Sequence, residues 1–74
     1  MKIINTTMAP APIGPYSQAV QCGNILFVSG QIALDPANGQ LITTSISAQT
    51  TRIMQNIEAI LQAAGLDFSN IVKT

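Results

Sequence analysis

An α+β fold is what this 74-residue sequence predicts. Three observations lead there. Two strand-like runs flank Gly23–Asn24, a proline-stiffened stretch precedes them, and an apolar stripe of helical period ends at Gly65. Lys2–Ile3–Ile4 is short and β-prone, and it can open a sheet as a first strand. Met8 to Pro15 holds Pro10, Pro12, Pro15 and Gly14. Proline lacks an amide donor and fixes its own φ, so this stretch is neither a helix nor a central strand and reads as an ordered loop.

Ser17 to Cys22 and Ile25 to Ser29 then read as a hairpin. A two-residue connection with glycine first fits a type II′ turn. The register follows: Cys22 opposes Ile25, Val20 opposes Phe27, Gln18 opposes Ser29 and Ser17 opposes Gly30. Ile25–Leu26–Phe27–Val28 is apolar on both faces, which predicts cover on both sides, by a helix on one and another subunit on the other. Asp35–Pro36–Ala37–Asn38–Gly39 is dense turn chemistry. Ser45 is a good helix N-cap. Beyond it Ile46, Ile53, Ile57, Ile60, Leu61 and Ala64 share one helical face with Met54 at its edge, which predicts a helix over Ile46 to Ala64, about 29 Å long. Thr50, Thr51, Gln55, Glu58 and Gln62 fall on its wet face, and Gly65 is placed to stop it. Leu66 to Asn70 reads as a short connection. Ile71 to Thr74 has the composition of a further strand at its start, so the 74 residues are expected to be the first part of a longer domain.

Size and composition constrain the rest. A domain this small buries only about 60% of the surface its unfolded chain exposes. Cys22 is the single cysteine and histidine is absent, so neither an internal disulfide nor the commonest metal ligand can compensate. With 47% hydrophobic residues, 8% charged and a mean hydropathy of +0.37, the chain is expected to cover apolar surface by self-association. Lys2, Arg52 and Lys73 balance Asp35, Glu58 and Asp67 to a net charge of zero. Without a basic cluster, an electrostatically driven nucleic-acid binder is disfavoured. No apolar run approaches bilayer length, no signal-peptide pattern opens the chain, and one unpaired cysteine fits the cytoplasm.

Catalytic candidates are few. Lack of histidine removes Ser–His and Cys–His pairs. The three acids fall in a turn, on a helix surface and in a loop, where they read as solvated groups. Cys22 has no cationic neighbour in sequence and reads as a small strand residue. Ile13–Gly14–Pro15–Tyr16 is open to two readings: a turn whose tyrosine packs on the sheet edge, or part of a site. Ser29–Gly30–Gln31–Ile32 is likewise either a strand end with a glycine bulge or part of that site. The register brings the two together at one sheet end, where two hydroxyls and a glycine N–H can bind a carboxylate or carbonyl.

Ala9 to Ala19, "APAPIGPYSQA", and Ile25 to Ile32, "ILFVSGQI", together resemble the two signature segments of the YjgF (Rid) family. Asp35–Pro36, Gly39, Gln49, Asn56, Ala63–Ala64–Gly65 and Val72–Lys73–Thr74 continue the likeness in order. The resemblance covers essentially the whole chain, residues 1–74, read as the N-terminal part of a single Rid domain. It implies a chorismate-mutase-like fold, a mixed sheet with helices on one face, assembled as a barrel-like homotrimer with sites between subunits. It implies hydrolysis of 2-iminoacids and their enamine tautomers, such as 2-iminopropanoate and 2-iminobutanoate, to 2-oxoacids and ammonia, with neither metal nor organic cofactor. Carried over by position, Tyr16 and Ser29 line the site as catalytic candidates, Gly30 offers its backbone N–H to substrate, and Gln31 lies alongside. The family's carboxylate-binding arginine, neighbouring cysteine and water-positioning glutamate come later in its chain. Arg52 and Glu58 do not correspond to them, so the 74 residues alone are expected to be inactive. Two further classes stay open: a non-catalytic ligand-binding or regulatory trimer, and an RNA-cleaving translation inhibitor.

Overall fold

The computed structural model describes residues 1–12 and 16–73. Strands β1 (Lys2–Ile4), β2 (Ala19–Cys22) and β3 (Ile25–Val28) form one antiparallel sheet in the order β1-β2-β3, and helix α1 (Ile46–Ala63) packs on one face. Cys22 opposes Ile25 and Val20 opposes Phe27, as the hairpin reading expects; Ile4 opposes Ala19 on the other side of β2. Gly23 has φ of 63° and Asn24 does not have positive φ. That combination is the type II′ pattern, because type I′ requires both central residues in the left-handed region.

Strand β2 starts later than expected. Ser17 and Gln18 fall outside it because the Gln18 N–H is directed to the Asn5 side chain at 3.3 Å. The hairpin's bonding still continues past β3, since the Ser29 N–H reaches the Gln18 carbonyl at 3.0 Å. Downstream, the expected turn forms: the Gly39 N–H donates to the Asp35 carbonyl at 2.7 Å, and Leu34 pairs with Leu41 in an isolated bridge.

Helix α1 begins as its sequence dictates. Ser45 is extended and its Oγ accepts the Ala48 N–H at 3.0 Å, which satisfies one of the first-turn donors. At the other end Gly65 has φ of 76°, its N–H donates to the Gln62 carbonyl at 2.9 Å, and the Leu66 N–H donates to the Leu61 carbonyl at 2.8 Å. Those two crossed bonds make a Schellman stop. Burial along α1 is confined to Asn56, Ile60 and Leu61. Ile46, expected on the buried face, is 81% exposed, because the helix meets the sheet only through its second half.

The core is small: Ile4, Ala9, Ala19 and Ile60, with Leu26, Ala59 and Ala64 packed against it. Leu26 therefore has the helical cover expected for β3. The other face of the sheet, with Ile3, Ile25 and Phe27, is exposed. The connection after α1 contains a short 3-10 turn, Phe68–Asn70, closed by reciprocal bonds between Asp67 and Asn70. No strand starts at Ile71 among the described residues; its backbone is extended, but its N–H turns back to the Phe68 carbonyl and no neighbouring strand pairs with it.

Candidate functional site

A groove of about 260 Å³ lies at the end of the sheet where β2 begins and β3 finishes. The proline segment Pro10–Pro12 forms one wall; Ser29, Gly30 and Gln31 form the other. Tyr16, Ser29, Gly30 and Gln31, the four candidates from sequence, all border it. Ile13, Gly14 and Pro15 of the proline motif lie outside the described residues.

Each candidate is presented differently. The Ser29 hydroxyl donates to the Ser17 carbonyl at 2.6 Å, so its proton is committed and its lone pairs face outward as acceptors. Gly30 is exposed and borders the groove, and a Cβ built on it meets nothing within 4 Å. Gln31 is half-buried and its amide donates to the Ser29 carbonyl at 3.1 Å, which steadies the strand end. Tyr16 is exposed on the opposite lip. Together they offer hydroxyl, amide and backbone groups to a small polar molecule, with apolar cover from Pro10, Pro12, Ile32 and Leu34.

Two buried polar residues hold this arrangement. Gln18 is 3% exposed; its amide nitrogen donates to the carbonyls of Thr6 (2.9 Å), Ala9 (3.2 Å) and Pro10 (2.9 Å), while its Oε1 accepts the Thr6 N–H. Asn56 is fully buried; its Nδ2 donates to the carbonyls of Leu34 (3.0 Å) and Ile32 (3.3 Å), and its Oδ1 accepts from Arg52 Nε at 3.0 Å. Sequence reasoning placed Gln18 opposite Ser29 but gave neither residue a structural role. Among the described residues, no three His, Cys, Asp or Glu side chains group closely enough to hold a metal, and no helix is long and apolar enough to cross a membrane.

The model of the family described as endoribonuclease L-PSP matches residues 6–74. The chain belongs to the YjgF (Rid) family. Among its curated Rid relatives, the mouse (Mus musculus) protein named 2-iminobutanoate/2-iminopropanoate deaminase is 51% identical over 73 residues, covering 99% of this chain and 54% of its own length. Of solved Rid structures, the E. coli YjgF gene product superposes with a TM-score of 0.90 at 43% identity, over 97% of this chain and 56% of that one. E. coli TdcF with bound serine superposes with a TM-score of 0.91 at 40% identity, again over 97% of this chain and 56% of that one. The chain thus spans a little over half the length of the Rid proteins it matches.

Proposed function

We propose that the complete protein hydrolyses 2-iminoacids and their enamine tautomers, with 2-iminopropanoate and 2-iminobutanoate as substrates. Water adds to the imine carbon, the C–N bond breaks, and the products are the 2-oxoacid and ammonia. The observation that carries this reading is the meeting of Tyr16, Ser29, Gly30 and Gln31 in one groove, in a chain half identical to a relative named for that deamination.

In this reading the Ser29 lone pairs accept the imine N–H, since the hydroxyl proton is taken by Ser17. The Gly30 N–H donates to the substrate, Tyr16 closes the opposite lip, and Gln31 holds the strand end. A 2-iminoacid also carries a carboxylate, which is best held by a bidentate guanidinium. Arg52 is directed to Asn56, so the anchor is assigned to the remainder of the protein, with residues 1–74 forming the first part of one chorismate-mutase-like domain. The exposed Ile3, Ile25 and Phe27 give apolar surface for subunit contact, and the assembly we propose is a cytoplasmic homotrimer with sites between subunits. No cofactor is required, because the substrate is already electrophilic.

Serine bound in the related TdcF favours a second reading, a module that binds small carboxylates without turnover. One assay separates the two. Ammonia release is followed while threonine dehydratase generates the iminoacid in situ, with complete protein present or absent. Acceleration is expected. Gly30→Val is expected to lower it more than tenfold, since the added side chain hinders close approach to the Gly30 N–H, while its Cβ has open space among the described residues. Tyr16→Phe removes one hydroxyl, worth about 0.5–1.5 kcal/mol when hydrogen-bonded. A spontaneous rate with wild-type protein, together with binding of serine or 2-oxobutanoate, would favour the binding module.

A further inference from the structure

From Gln18 we infer a positioning role: its buried amide sets the separation between the proline wall and the Ser29–Gly30 edge, and so the fit of substrate in the groove. The inference rests on reading that groove as the deaminase site. Its physical basis begins with the wall itself. Pro10 and Pro12 have no N–H, so the segment cannot fasten itself to the sheet by donating from those positions. What it retains are carbonyls, and these need a donor from elsewhere.

Gln18 is that donor. Its amide nitrogen has two hydrogens and lies 2.9–3.2 Å from the carbonyls of Thr6, Ala9 and Pro10, while Oε1 takes the Thr6 N–H. The donating side of this side chain is fully occupied inside the protein, leaving no N–H for a ligand, which makes it a positioning residue and not a binding one. The backbone of the same residue completes the link. Its carbonyl accepts the Ser29 N–H at 3.0 Å, and its N–H donates to the Asn5 Oδ1 at 3.3 Å. Wall, β2 and the Ser29 edge are thus tied through one residue. Ala9, at the root of the wall, is buried in the core beside Ile4 and Ala19, so a shift there cannot be absorbed by solvent.

The chemistry is specific to an amide. Methionine has similar length and no polar group. Glutamate keeps the acceptor for Thr6 but places a carboxylate against three carbonyl oxygens. The complete protein is therefore compared as wild type, Gln18→Met, Gln18→Glu and Gly65→Ala, the last a change at the helix stop, outside the groove lining, that controls for lost stability. Amide NMR spectra, calorimetric titration with 2-oxobutanoate and deaminase kinetics are recorded for each. Gln18→Met is expected to shift the amides of residues 6–12, 16 and 29–31 selectively. It is expected to weaken 2-oxobutanoate binding and raise KM about tenfold, with kcat less affected. Gln18→Glu is expected to do more, and Gly65→Ala is expected to lower the melting temperature with KM and those amides unmoved. Unchanged 29–31 amides in a folded Gln18→Met protein would overturn the inference, as would KM and affinity within twofold of wild type. If the wild type neither turns over nor binds 2-oxobutanoate, the deaminase reading fails, and the amide shifts alone then decide whether Gln18 sets the groove.

Discussion

Asn56→Ala tests how the groove floor is held to the helix. Three groups lose a partner at once. The Leu34 carbonyl has no other hydrogen bond among the described residues, so its cost is that of an unsatisfied group, about 1–3 kcal/mol. The Ile32 carbonyl keeps the Leu34 N–H at 2.8 Å and loses only a longer bond of 3.3 Å, worth about 0.5–1 kcal/mol net. Arg52 is half-buried and its Nε turns to water at little cost. The sum is about 1.5–4 kcal/mol, a large part of the 5–15 kcal/mol that holds an ordinary domain folded. Urea unfolding of the complete protein, at one fixed protomer concentration, reads it out. The midpoint should fall by about 1–2 M with unchanged slope. Asn56→Asp should fall further: it keeps Arg52 but turns a carboxylate toward two carbonyls. A midpoint shift below about 0.3 M for the alanine variant would show that these carbonyls find water, and that Asn56 does not hold the floor.

Two further outcomes follow from helix ends. Gly65→Ala forces a Cβ onto a backbone with φ of 76°, which costs about 1–2 kcal/mol, seen as a lower thermal midpoint with groove binding unchanged. Asp67 has its carboxyl held below the ordinary carboxylate value by the Ser69 hydroxyl, then by the Ser69 N–H. With the folded value depressed, its contribution is present above the unfolded value and is lost as pH falls through the folded one. Carbon-detected NMR should show Asp67 titrating below a model carboxylate, and Ser69→Ala should move it back up.

The parts of this fold legible in sequence are those with local causes. Gly23 before Asn24 determines the turn, and with it the register that brings Ser17 beside Ser29 and sets Tyr16 and Gln31 on one groove. Ser45 and Gly65 mark the helix ends within one residue because capping involves only near neighbours. What stayed hidden acts across distance. Gln18 and Asn56 look like ordinary polar residues in any local window, since the carbonyls they satisfy belong to irregular segments well separated in the chain. Ile46 matches the helical stripe, yet how far the sheet extends beneath α1 is a tertiary fact. Ile71 has strand-like composition, but a strand also needs a neighbour to pair with, and none among the described residues does so. The hairpin register brings the four candidates to one sheet end, while the residues that hold their surroundings carry no local signal.

The core cluster joins Ile4 and Ala19 to Ile60, which comes 41 residues after Ala19. On a ribosome adding about 5–20 residues per second, Ile60 is made roughly 2–8 s after Ala19. The hairpin can close in microseconds, so for seconds its inner face has nothing to pack on. Packing of this cluster therefore waits on synthesis of α1. Slow codons between the hairpin and the helix would lengthen the interval in which a nascent chain with Phe27 outward and Leu26 uncovered meets its neighbours on the same polysome, the period when holding chaperones matter most.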